Sequence, residues 1–361
     1  MFRQLKAFTI KAVAGANVAT GIAMLLVGFS DRVHPAAHPY VATVGLVFPL
    51  FLALNMAFLV FWLVFKWRMA VIPLAAYAAA FVPIRTYMPI NPGSDIPDGA
   101  LKVLSYNVRN YGGASAGQHR PYDDIVEYLG RSGADIVCLQ EDVDKWGVAH
   151  PRLDSMYRHT DTVYVGDDGR RGNALGIYTR FPILRKERIR YASAGNGSVA
   201  YYLKVGGDTV LVVNNHFESN HLEPAERERY KDMLKGEMSQ DTARAESKKL
   251  IKKLGDAARM RSAQVDSVCA YLRRHSHYPT ILCGDFNDTP ISYARHAVAE
   301  LLTDCYVATG RGIGLSYNQK GFYVRIDNIM CSDDFKPLGC KVDSKITASD
   351  HYPIYCWLKM K

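Results

Sequence analysis

Three apolar stretches open the chain. Residues 12–29 are interrupted only by Asn17 and Thr20, residues 40–65 carry no charge, and residues 69–84 carry none either. A bilayer crossing takes roughly 20 apolar residues, with about 17 as the lower limit. The pattern therefore predicts a transmembrane region over 1–85, with spans at about 12–29, 40–65 and 69–84. The third stretch contains Pro73 and Pro83 and is flanked by Arg68 and Arg85. It reads either as a short span whose arginines snorkel or as a re-entrant or interfacial helix. A cleaved leader does not account for the first stretch, because two more hydrophobic segments follow it.

The pattern changes after residue 85. Residues 86–99 hold three prolines and two glycines, which suits a semi-rigid linker. From 100 to 361 short strand-like runs recur: 101–107, 135–140, 175–179, 200–205, 210–215, 280–283, 325–330 and 353–358. Helical spacing appears at 121–130 (Ile125, Val126, Leu129) and 257–274 (Met260, Val265, Val268, Leu272). Several strands succeed one another without a helix, which predicts a mixed α/β or α+β fold rather than a strictly alternating parallel sheet. Residues 222–255 interrupt this domain with alternating Glu and Lys/Arg. They read as a solvated helical excursion, or as a lid or a membrane-facing arm.

Charge sharpens the division. The formal net charge is +9, but residues 1–94 contain seven bases and the single acid Asp31, so +6 belongs to the N-terminal third. The remaining +3 gives little support to a surface built for long duplex DNA, which would contact many phosphates. Arg3, Lys6, Lys11, Lys66 and Arg68 lie on one side of the spans, against Arg32 and Arg85 on the other. The excess places the N-terminus inside. With three spans, the rest of the chain is extracytoplasmic, facing outward from what would be the inner membrane in a bacterium; with two, the assignment flips. All seven cysteines follow the linker, without a CxxC. A thiolate zinc site is not indicated, and an exported location would permit a disulfide such as Cys331–Cys340.

Polar strings abut the apolar runs. GDFNDTP (284–290) follows one, Ile-Asp-Asn (326–328) overlaps another, and SDHYP (349–353) precedes a third. Acids, amides and an imidazole at the ends of neighbouring strands are what metal-assisted attack on a phosphate ester needs. With LSYNVRNYG (104–112), DIVCLQED (135–142), GNALGIYTRFPI (172–183) and VVNNHFES (212–219), they resemble, in order, the motifs of the endonuclease/exonuclease/phosphatase superfamily. The resemblance runs from about Lys102 to the end of the chain. It implies two packed mixed β-sheets flanked by helices, a four-layer sandwich with the site at the sheets' edge.

The resemblance also implies roles. Glu141 would hold Mg²⁺, or Mn²⁺ in its place, with Asn107 and Asp350 beside the ion. Asp285 would orient or deprotonate the attacking water, and Asn287, read as pointing the same way in an extended segment or turn, would hold the nucleophile or a phosphoryl oxygen. Asp327 would fix the His351 tautomer so that His351 donates to phosphate, and His216 would be a second donor. Arg109, Tyr111 and Asn173 could line the cleft, whereas Arg170 and Arg171 read as solvated. Asn328 stands where the family often has an aromatic. The expected activity is hydrolysis of a phosphodiester or phosphomonoester by in-line attack of water. Phospholipids of the sphingomyelin type, inositol phosphates, nucleotides and nucleic acids all belong to the family's range. The partners expected are the ester substrate and the bilayer, with no protein partner; a tethered nuclease is the alternative. A catalytically silent scaffold would be expected to have lost part of the site, and a transporter would need ionisable groups within the spans.

Overall fold

The computed structural model describes residues 2–112, 121–166, 173–193, 195–220, 222, 224–319 and 322–361. Arg170 and Arg171 lie outside the described residues. Among the described residues, fourteen strands follow the N-terminal helices: β1 (Leu101–Asn107), β2 (Ile136–Gln140), β3 (His159–Tyr164), β4 (Ala174–Thr179), β5 (Ile183–Ile189), β6 (Gly197–Val205), β7 (Asp208–His216), β8 (Thr280–Asp285), β9 (Thr303–Asp304), β10 (Tyr317–Gln319), β11 (Phe322–Val324), β12 (Asp327–Cys331), β13 (Phe335–Val342) and β14 (Ile354–Met360).

Two six-stranded sheets form, in the orders β13-β14-β1-β2-β4-β3 and β5-β6-β7-β8-β12-β9. Each has one parallel pair at its centre, β1 with β2 and β7 with β8; all other pairings are antiparallel. Alternation sorts the side chains of the central strands. Val103, Cys138, Ile177, Tyr201, Val212, Ile281 and Ile329 fill the space between the sheets. Leu211, Val213 and Leu282 point outward, onto Val265, Val268 and Leu272 of helix Gln240–Arg274. On the other flank, Leu104, Val137 and Leu139 meet Ile125, Val126 and Leu129 of helix Pro121–Arg131, and Leu153. The result is the four-layer α/β/β/α sandwich expected.

Helix Phe2–Gly28 and helix Phe48–Phe65 belong to segments of 29 and 27 residues that are long and apolar enough to cross a membrane. The third stretch is not one straight helix. It breaks at Ala80 into Trp67–Ala79 and Phe81–Tyr87, bent by 67°. Pro83 cannot donate to the carbonyl four residues back, which weakens the chain at that point.

The 86–99 segment is not a free spacer. Arg325 is buried, and its guanidinium donates to the carbonyls of Thr86 (2.7 Å), Tyr87 (3.5 Å) and Ile313 (2.6 Å). It thereby satisfies carbonyls at the end of the last N-terminal helix, which have no partner within that helix. The Asn91 carboxamide donates to Val307 O (3.1 Å) and Gly310 O (2.8 Å), and Ile90 pairs with Arg311. The 31–45 segment touches the same body. His34 Nε2 lies 3.0 Å from Asp266 Oδ2, and Gly45 approaches Ile291 O so closely that a Cβ would sit 2.0 Å from it.

The 222–255 insert is helical. It comprises helix Pro224–Lys235 and the first half of Gln240–Arg274, which runs unbroken into the helix predicted from 257. Glu226 pairs with Lys249 (3.5 Å) and Lys253 (2.6 Å), and Arg229 with Glu246 (3.3 Å), binding the two helices together. The seven cysteines are buried and unbonded, and Cys331 faces Cys305 at 3.7 Å rather than forming the Cys331–Cys340 bridge.

Candidate active site

The topology brings the polar strings to one edge. In each central parallel pair the carboxyl ends lie side by side, so Asn107, Gln140, His216 and Asp285 end their strands together. Strand β12 runs antiparallel to β8, and its first residue, Asp327, pairs with Asp285. Strand β14 runs antiparallel to β1, which brings the preceding Asp350 and His351 to the same edge.

The backbone there is unusual. Among the described residues, the non-glycine positions with positive φ are Arg109 (47°), Asn110 (48°), Tyr111 (58°), Glu141 (53°) and Asn287 (52°), all immediately after these strand ends. Such conformations disfavour side chains and persist where the surroundings enforce them. Here hydrogen bonds do so. Asn107 Oδ1 accepts from Arg109 N (3.1 Å), and Asp285 Oδ1 accepts from Asn287 N (2.8 Å). Gly284, at φ 141°, lets β7 and β8 approach, since a Cβ there would lie 1.9 Å from Asn215 O.

Asp285 is the hub. Its Oδ2 receives Asn107 Nδ2 at 3.1 Å and lies 3.6 Å from His216 Nε2 and 3.7 Å from His351 Nε2. Asn107 Nδ2 also reaches Glu141 Oε1, at 3.2 Å. His351 Nδ1 meets Asp327 Oδ2 at 2.9 Å, which turns Nε2 into the cleft. Asn173 Nδ2 lies 3.1 Å from His216 Nδ1. Asp350 lies 3.7 Å from Arg109 Nε, and the Tyr317 ring packs on His351 with centroids 5.0 Å apart.

Burial raises the pKa of Asp285, against the lowering effect of His351 and His216. Burial raises Glu141 too, opposed by His351 and by the Asn107 hydrogen bond. For His351 burial acts downward, but Asp327 and Asp285 outweigh it and hold the proton on the ring. Four carboxylates, Glu141, Asp285, Asp327 and Asp350, thus share one edge with two imidazoles. Asp327 Oδ1 is buried without a hydrogen-bond partner, and Asp285, Asp327 and His351 present atoms within 4.8 Å of one another. A clustered excess of hard oxygen donors fits a divalent cation that binds oxygen.

Not every predicted residue faces the cleft as expected. The Tyr111 side chain is buried, and its hydroxyl donates to Asp142 instead of lining the opening. Asn287 is not in an extended segment. Its positive φ makes it a turn residue, and its Nδ2 donates to Phe217 O (2.9 Å). Arg109 is exposed, at the rim.

The supporting residues were not singled out from the sequence. Gln140 Nε2 donates to Ser105 Oγ (3.1 Å) and Asn214 Oδ1 (2.7 Å), and Asn214 Nδ2 to Leu139 O (3.0 Å) and Gly176 O (2.9 Å), tying the sheets together beneath the site. Asp142 collects Tyr111, His150 (3.0 Å), Thr162 (2.9 Å) and Tyr178 (3.0 Å). Arg261 binds Asp288 (3.0 Å), Glu218 O (2.5 Å) and Asn220 (3.2 Å). The available signal was a polar residue inside an apolar strand run, as in VCLQ or VVNN, which must find a partner when buried.

Comparison with known proteins assigns the class. A model of the endonuclease/exonuclease/phosphatase family matches residues 104–351. The chain belongs to this family, whose members are hydrolases of phosphoester bonds, and it is such an enzyme. A domain family of unknown function matches residues 10–87. An endonuclease/exonuclease/phosphatase family protein from Bacteroides thetaiotaomicron has a similar fold, with TM-score 0.53 and 20% identity over 74% of this chain and 100% of that one. The human Nocturnin catalytic domain with bound sulfate aligns with TM-score 0.53 and 16% identity, over 74% and 96%. Mannosyl-6-phosphatase from B. thetaiotaomicron gives TM-score 0.50 and 22% identity, over 72% and 100%. No curated protein matches the chain.

Proposed function

We propose that this chain is a membrane-anchored, Mg²⁺-dependent phosphoesterase that cleaves its substrate by in-line attack of water. The observation that carries the reading is the convergence on Asp285 of Asn107, His216 and His351, with Glu141 and Asp327 one contact further out. Glu141 and Asp350 would hold the cation, beside Asn107, whose Nδ2 faces Glu141 and Asp285 while its Oδ1 accepts from Arg109 N. When bound, that cation supplies Lewis-acid polarisation of a phosphoryl oxygen.

The other steps belong to side chains. Asp285 orients the attacking water and takes its proton. His351 is charged and anchored through Nδ1 to Asp327, so it donates Nε2–H to a non-bridging oxygen as charge grows there. His216 is a second donor, since the Asn173 amide occupies its other nitrogen. Asn287 contacts the nucleophile or a phosphoryl oxygen from its turn, and Arg109 meets the substrate at the rim.

The anchor reading rests on the apolar helices and on their contacts. Residues 31–45 and 86–91 both touch the catalytic body, so the bent third segment returns the chain to the end where the first span finishes. That return supports three crossings and, with the distribution of Lys and Arg, an extracytoplasmic catalytic domain.

The test uses the full chain in detergent with bis-p-nitrophenyl phosphate, sphingomyelin, phosphoinositides, mononucleotides and oligonucleotides side by side. Hydrolysis of at least one is expected to vanish on chelation and return with Mg²⁺ or Mn²⁺. Turnover indifferent to chelator would overturn the metal assignment.

A further inference from the structure

The helical insert carries a face that neither the hydrolytic site nor the internal ion pairs use. At about 100° per residue, Arg244, Lys248, Ile251, Lys252, Gly255 and Arg259, with the single acid Asp241 in the first turn, fall within about 100° of arc on helix Gln240–Arg274, four bases against one acid between 241 and 259. Arg244, Lys248, Lys252 and Arg259 are exposed, and none has an acidic partner among the described residues. Lys249, Lys253 and Glu246, on the opposite side, are the ones consumed by the hairpin. Ile251 sits at one edge of the basic arc, midway along its length, and is 45% exposed, which a purely solvated face does not require.

The same face has a fixed place. Gly255 lies against Pro39 and Tyr40, where a Cβ would be 3.3 Å and 3.4 Å from their atoms. Pro39 begins the second apolar segment, Pro39–Phe65. The arc therefore starts at the mouth of a span and continues along the helix towards its N-terminus as basic groups flanking an apolar one. Tyr40 and Val41 beside it are exposed as well, and tyrosine is common at the membrane–water boundary.

We infer that this helix face is a docking surface for anionic lipid headgroups of the bilayer that holds the N-terminal helices. The inference rests on the membrane-anchored reading. Cationic side chains take the phosphate layer while Ile251 enters its apolar border, the arrangement of an interfacial amphipathic helix. Charge complementarity and continuity with the span select lipid over a protein partner. Each basic residue near an anionic surface strengthens attachment by about fivefold, so the arm is held only where acidic lipid is present. Because Arg261 of the same helix binds Asp288 and Asn220, docking would also steady the loops behind Asp285.

The seven native cysteines are buried, so an Ile251→Cys variant of the full chain accepts an environment-sensitive fluorophore selectively. In nanodiscs of phosphatidylcholine with phosphatidylglycerol, emission is expected to brighten several-fold and shift to the blue relative to phosphatidylcholine alone. The change should disappear in high salt and in the Arg244→Glu/Lys248→Glu/Lys252→Glu variant. That variant should hydrolyse a soluble ester normally, which verifies its fold. Equal emission in both lipids overturns the inference, as does a response to an oligonucleotide without one to phosphatidylglycerol. Failure of the anchored reading shows separately, as release of the protein from membranes by alkaline carbonate.

Discussion

Two buried polar networks in this molecule are built from similar residues and do opposite things. In the helical bundle, Trp62 Nε1 donates to Asn17 Oδ1 (3.0 Å), and Asn17 Nδ2 reaches Asn55 Oδ1 (3.4 Å). Asn55 Nδ2 in turn donates to Phe51 O (2.9 Å). That network is closed: none of its side-chain polar atoms lacks a partner. At the sheet edge, Asn107, Asp285, Asp327 and His351 are equally buried, yet Asp327 Oδ1 has none, and four carboxylates outnumber the imidazoles. A closed network holds apolar helices together and would do so in a bilayer, where lipid offers no alternative partner. An open one keeps capacity for a ligand, and leaving it open costs stability.

Mutations should separate the two. The largest effect is expected at the hub: Asp285→Ala and His351→Ala each lower turnover by about 10²–10⁴-fold. Asp285→Ala should leave the melting temperature unchanged or raise it, whereas His351→Ala should lower it, because Asp327 is left buried without its cation. Near-normal turnover of purified Asp285→Ala would remove it as the base. Asp327→Asn keeps the shape but weakens the support of His351, and should cost roughly 10–100-fold in steady-state rate. Asn55→Leu attacks the closed network. It should lower bundle stability by about 0.5–1.5 kcal/mol in detergent unfolding while turnover stays within about twofold. A large loss of activity there would show that the two networks communicate.

The smallest effect is a pH dependence carried by His150. Burial pulls the His150 pKa down, but the hydrogen bond and charge of Asp142 outweigh this and raise it. The folded protein thus holds that proton more tightly than the unfolded chain. The stabilisation is complete below the unfolded value of about 6.5 and is lost as pH rises through the higher folded one. His150→Ala should therefore cost about 1 kcal/mol in mildly acidic buffer and less in alkaline buffer. An equal loss at both pH values would show that the pair is held by packing rather than charge.

What could be read in the chain beforehand follows from burial. The strands expected from apolar runs, β1, β2, β4, β6, β7, β8, β12 and β14, are the interior strands of the two sheets. Those that escaped notice are the four edges, β3, β5, β9 and β13, and the separate two-stranded ribbon of β10 and β11. ILRKERI and FKPLGCKV carry the charges and proline that keep an edge from pairing with another chain, and those same residues erase the apolar pattern. The site strings were legible because they end interior strands. Tyr111 was misplaced because left-handed φ after a strand leaves no periodic trace, and it redirects the side chain by more than any spacing rule anticipates; Asn287 occupies the turn that was one of its two readings. The fastening of residues 86–91 was hidden because a proline-rich string looks the same whether it is pinned or loose.

Arg325 gives that fastening a practical edge. Cutting the chain before β1 to remove the apolar helices would strip the Thr86 and Tyr87 oxygens from a guanidinium that has no carboxylate within bonding reach among the described residues. The stranded cation sits two positions upstream of Asp327. Amputation would thus do more than remove the apolar helices: it would unsettle the very rung on which the histidine leans.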